Sequence, residues 1–128
     1  MTIHPDCPFC LVPESRILSG NATGFVIRDG FPISPGHSLI IPRRHVSSFF
    51  DLTVDERSGL MELLDNAKRE LDASRAPGGY NIGINDGAVA GQTVPHLHVH
   101  LIPRYLGDQS DPRGGVRWIF PSKARYWD

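Results

Sequence analysis

The sequence predicts an α+β fold, an antiparallel meander sheet with one long helix packed across it. Short apolar runs separated by turn residues fill the chain before position 46 and again after position 79. Between them lies one stretch of about twenty residues with helical rather than alternating periodicity. The connections between the apolar runs are mostly short enough for hairpins, which makes the sheet antiparallel.

Taken in order, residues 16–18 and 22–28 read as two strands joined by the turn Ser19-Gly20-Asn21. Phe31-Pro32-Ile33-Ser34-Pro35-Gly36 is a loop, because two prolines and a glycine break any ladder. Residues 38–41 form the next strand, ended by Pro42. The helix runs from Val54 to about Ser74, announced by Thr53 with Glu56 three residues on, a capping box. Leu60, Leu64, Ala67 and Leu71 make its apolar stripe, and Glu62, Asp65, Lys68, Arg69, Glu70 and Asp72 its solvated faces. Pro77-Gly78-Gly79 ends the helical region, residues 80–85 form a strand with Tyr80, Ile82 and Ile84 on one face, and 86–91 turn the chain.

The chemistry is concentrated in His96-Leu97-His98-Val99-His100-Leu101-Ile102. Alternate side chains of a strand point to opposite faces, so three imidazoles share one face while Leu97, Val99 and Leu101 pack on the other. Burying three unpartnered imidazoles costs desolvation with nothing gained. The plain alternative is a histidine-rich solvated edge. A single zinc site is disfavoured: at about 3.3 Å per residue the outer α-carbons lie roughly 13 Å apart, so at most two rings can share one ion at roughly 2.1 Å. The row suits an extended target such as a phosphate and its leaving group.

With 128 residues, 40% of them hydrophobic, the chain has the length for one compact domain, over 1–128. Thirteen Lys and Arg against fourteen Asp and Glu leave a formal charge of -1, no footprint for duplex nucleic acid or an anionic membrane. The start Met1-Thr2-Ile3-His4-Pro5-Asp6 lacks the pattern of a signal peptide and no run is long enough for a membrane span, so the expected location is cytoplasmic. Cys7-Pro8-Phe9-Cys10 in a reducing compartment points to metal binding or redox chemistry, with two free thiols as the alternative.

These segments resemble the histidine triad (HIT) nucleotide hydrolases and transferases. The resemblance rests on Gly91-Gln92-Thr93-Val94-Pro95 before the histidine row, Pro35-Gly36-His37-Ser38-Leu39, and Ile41-Pro42-Arg43-Arg44-His45. It implies a HIT-like fold and a nucleotide hydrolase with His98 as nucleophile. His98 would attack the α-phosphorus of a dinucleoside polyphosphate or an adenosine phosphoramidate, forming a covalent nucleotidyl-histidine that water hydrolyses to AMP. The backbone carbonyl of His96 would hold the other ring nitrogen of His98. His100 would contact the phosphate and the leaving group, with His37 reaching in from its loop. Gln92 and Thr93 would supply neutral donors, Asn85 would touch phosphate and Asp29 the ribose hydroxyls. Phe25, Ile27 and Ile41 are candidates for a base pocket or for plain core.

The same resemblance implies a structural zinc held by Cys7, Cys10, His45 and His96, a closed Cys2His2 set in an N-terminal segment of about 1–15. Catalysis itself would need no metal, although magnesium can accompany a polyphosphate substrate. His4 matches nothing in the pattern. A histidine at position 100, where the transferase branch carries glutamine, favours hydrolysis. The alternatives are a nucleotidyltransferase and a nucleotide-binding regulatory protein with incidental turnover. The tail, about 107–128, carries Trp118, Phe120, Tyr126 and Trp127, which fit a homodimer interface or the chain's own core. Its Arg113, Arg117 and Lys123 would face a distal phosphate or solvent.

Overall fold

The computed structural model describes residues 4–128; residues 1–3, the start of the expected zinc-binding segment, lie outside it. Five strands form one antiparallel sheet: β1 (Ile17–Gly20), β2 (Gly24–Arg28), β3 (Ser38–Pro42), β4 (Gly79–Gly83) and β5 (Val99–Arg104). The helix α1 (Val54–Arg75) links β3 to β4. The spatial order is β1-β2-β3-β5-β4. The first three strands run as a meander, and the chain then crosses through α1 to the far edge before β5 fills the slot beside β3.

Local chemistry accounts for the boundaries. Asn21 makes the first hairpin turn, its side-chain oxygen accepting from the amides of Thr23 and Gly24, so β2 starts two residues later than expected. Thr53 and Glu56 form the capping box, with the Thr53 hydroxyl accepting from the Glu56 amide and the Glu56 carboxylate from the Thr53 amide. The buried stripe of α1 is Leu60, Leu63, Ala67 and Leu71, with Leu64 only partly buried at its margin.

The sheet separates two apolar layers. Val26, Ile40, Leu97, Val99 and Leu101 pack under α1, joined by Tyr80 and Ile84, while Ile82 stays half exposed on the β4 edge. Phe25, Ile27, Leu39 and Ile41 form the opposite layer, which Phe9, Val12 and Ile17 cover. The three candidate base-pocket side chains, Phe25, Ile27 and Ile41, are all buried in this second layer. No helix among the described residues is long and apolar enough to cross a membrane.

Candidate active site

Of the three alternating histidines only His100 lies within β5; His96 and His98 precede it without strand pairing. The alternation survives outside the ladder. Leu97, Val99 and Leu101 are buried under α1, and the imidazoles lie on the other side. His98 and His100 are neighbours there, with ring centroids 5.1 Å apart.

Each ring is held differently. Nδ1 of His98 lies 3.0 Å from the carbonyl oxygen of His96, which can only accept, so Nδ1 carries a hydrogen and the tautomer this selects has its lone pair on Nε2. Nδ1 of His100 lies 2.9 Å from Nε2 of His37. Burial pushes His100 down to about 4, helped by His98 and His37 and opposed by Asp29. Burial likewise lowers His37, against the pull of Asp29.

His37 is placed by a tightly closed loop. The Asp29 amide donates to the His37 carbonyl and the His37 amide to that of Ser34. Gly36 makes the turn at φ +88°, and a Cβ there would lie 2.7 Å from Leu71 of α1, so the position needs glycine. From beyond β5 the Tyr105 hydroxyl donates to the Pro35 carbonyl at 2.6 Å. The Asp29 carboxylate accepts from the Phe31 amide through Oδ1 and places Oδ2 3.3 Å from Nε2 of His37.

Gln92 braces the preceding loop. Its amide nitrogen donates to the carbonyls of Ser47 and Val94, and its oxygen accepts from the Gly87 amide. Thr93 and Asn85 are exposed. Of the three tail cations, Arg113, Arg117 and Lys123, two are engaged within the tail itself. Arg113 pairs with Asp111 and lies over Trp127; Arg117 donates to the carbonyls of Ala124 and Lys123 and lies over Tyr126.

Cys7, Cys10, His45 and His96 converge, their ligand atoms all within 4.8 Å of one another. Nδ1 of His96 is 3.2 Å from Cys7 Sγ and 3.5 Å from Cys10 Sγ, and Nδ1 of His45 is 3.3 Å from Cys10 Sγ. These separations suit the edges of a tetrahedron of two nitrogens and two sulfurs around a zinc ion. The buried His96 ring directs Nε2 to the Pro42 carbonyl at 2.8 Å, which puts its hydrogen there and leaves Nδ1 free to ligate. The residues fit the metal. His4, exposed, stacks on His45 at 3.7 Å.

Phe9 escapes sequence reading as a site residue. Carried between the two cysteines, it meets the His98 ring at 5.0 Å edge to face. Its position between two candidate ligands was the available signal. Ile33 was hidden too, because its contribution is a main-chain amide, which donates to Nδ1 of His37 at 3.2 Å.

A HIT domain model matches residues 12–107. The asymmetrical bis(5'-nucleosyl)-tetraphosphatase of Schizosaccharomyces pombe is 45% identical over 80 residues, 62% of this chain and 44% of that protein. The AP-4-A phosphorylase of Mycobacterium tuberculosis is 34% identical over 110 residues, 81% of this chain and 56% of its own length. The chain thus spans about half the length of these two relatives. A zinc-bound histidine triad family protein from Mycobacterium smegmatis superposes with a TM-score of 0.73 at 33% identity, covering 83% of this chain and 80% of that one.

Proposed function

The chain belongs to the HIT domain family, and on that premise we propose that it is a nucleotide hydrolase. Its substrates are dinucleoside polyphosphates or adenosine phosphoramidates, cleaved at the α-phosphate. The observation that carries the reading is the His98 ring: Nδ1 donates to the His96 carbonyl, so the tautomer this favours offers Nε2 as the nucleophile. Nε2 of His98 bonds to the α-phosphorus as the bond to the leaving group breaks, and water then cleaves the nucleotidyl-histidine, releasing AMP and restoring the ring. His100, beside His98, supports hydrolysis by stabilising the charge on the departing group. The names of the fission yeast and mycobacterial relatives support a nucleotide substrate. Asp29 contacts the ribose, while Asn85, Thr93 and the loop braced by Gln92 border the phosphates. Magnesium can accompany a polyphosphate.

Cys7, Cys10, His45 and His96 would hold a structural zinc, a set of four protein ligands that would serve the fold and not activate a water. The unpaired side of β4, with half-exposed Ile82 on that strand and the adjoining tail, is the face on which two copies form a homodimer.

The test is intact-mass spectrometry of wild type and His98→Ala, quenched within seconds of adding diadenosine tetraphosphate or adenosine phosphoramidate. An adenylyl adduct is expected on the wild type alone, and His98→Ala loses turnover by roughly four orders of magnitude. No adduct and no AMP from either compound would sink the proposal.

A further inference from the structure

Asp29 Oδ2, His37 Nε2 and His100 Nδ1 lie within 4.8 Å of one another, two imidazoles and a carboxylate that could gather around a metal ion or around a proton. The loop geometry decides between them. The Ile33 amide donates to Nδ1 of His37 at 3.2 Å, so that nitrogen keeps its lone pair and the neutral ring carries its hydrogen on Nε2. A hydrogen, not a lone pair, therefore faces the other two groups. It lies between Nδ1 of His100 at 2.9 Å and Asp29 Oδ2 at 3.3 Å. With Nδ1 of His100 accepting that hydrogen, the neutral His100 ring must carry its own on Nε2.

We propose that Asp29 is a positioning residue for the reaction as well as a ribose contact. Together with the Ile33 amide it commits His37, and through it His100, to the tautomer that presents Nε2–H to the leaving group. The two holds act at opposite ends of one ring. The amide of Ile33 favours a lone pair at Nδ1 of His37, and the carboxylate favours a hydrogen at Nε2. Asp29 is itself held for the task, since the Phe31 amide takes Oδ1 at 2.8 Å and leaves Oδ2 turned to His37.

Neighbouring histidines thereby have opposite characters. His98 offers a lone pair at Nε2, because its Nδ1–H is held by a carbonyl, and His100 offers a hydrogen at Nε2. Burial keeps His100 neutral, so the tautomer rather than a charge defines what it offers, and the ionisable groups facing it are His98, His37 and Asp29. In the cleavage step the phosphorus–oxygen bond electrons pass to the leaving oxygen, which accepts a hydrogen bond from His100. With a dinucleoside polyphosphate no proton has to be transferred, because the leaving group departs as an anion; a phosphoramidate's leaving nitrogen, by contrast, takes up a proton.

The inference builds on the hydrolase reading, and its first test needs no substrate. Imidazole 15N spectra of the wild-type protein are expected to show Nδ1–H on His98 and Nε2–H on both His37 and His100. An Nδ1–H tautomer at His37 or His100 would overturn the proposal whether or not the protein cleaves nucleotides. Asp29→Asn keeps a polar group for the ribose and removes the charge. It is expected to give a mixed tautomer signal at His37 and to lower kcat about tenfold or more, with KM nearly unchanged. A wild-type tautomer pattern with a loss confined to KM would make Asp29 a ribose contact only and overturn the proposal.

Discussion

Whether an imidazole attacks or donates depends on what holds its other nitrogen: a carbonyl for His98 and, for His100, the His37 ring with the Ile33 amide and the Asp29 carboxylate behind it. The same burial has a cost in acid. His100 takes up a proton near 6.5 in an unfolded chain but only near 4 in the fold, so the unfolded state binds more protons between those values. Its contribution to stability is complete above about pH 6.5 and is lost as the pH falls toward 4. Between pH 6.5 and 5 this ring alone removes about 2 kcal/mol, and the lowered His37 acts in the same direction. Urea denaturation at pH 7 and pH 5 should therefore show wild type losing about 2 kcal/mol more than His100→Gln; equal losses would assign the titration to other groups. The histidines were legible in the sequence because alternation is a one-dimensional pattern. The triangle of Asp29, His37 and His100 was not, because it depends on a loop closing until residues far apart in the chain share a hydrogen.

At the scale of elements, α1 and its C-cap each carry a residue whose backbone demand runs against its side chain. Gly59 sits inside the helix, where alanine is intrinsically favoured by about 1 kcal/mol, yet a Cβ there would lie 2.6 Å from the Cβ of Thr23. Gly59→Ala should destabilise the protein by about 1–3 kcal/mol through that overlap. Ala76, the C-cap residue, holds the left-handed conformation at φ 47°, which suits glycine. Ala76→Gly should stabilise by about 1 kcal/mol. Thermal melts of the two single variants check both signs, and a stabilised Gly59→Ala would mean the helix has room to shift off Thr23. The helix was readable from its cap and stripe because both are local. The order of β4 and β5 was not, since strand pairing is non-local and both strands carry the apolar alternation that a sheet interior accepts. His96 and His98 likewise read as strand from alternation alone, although they lie outside the ladder.

Across the whole molecule, the N-terminal turn Cys7–Cys10 is fastened to the sheet through His45 and His96. If zinc completes that group, a strong chelator should lower the thermal midpoint and make both thiols react readily with a thiol reagent. Thiol reactivity unchanged by chelation would mean that no metal was held. On the proposed dimer face, Ile82→Lys should shift the protein toward monomer in sedimentation velocity while its circular dichroism stays unchanged; a monomeric wild type would remove the dimer. The metal group and the catalytic face meet in one residue. His96 turns Nδ1 to the cysteines, gives Nε2–H to the Pro42 carbonyl and offers its own carbonyl to His98. An engineer replacing the cysteine pair with an apolar plug would therefore be re-aiming the nucleophile, so the terminal segment cannot be redesigned for durability alone.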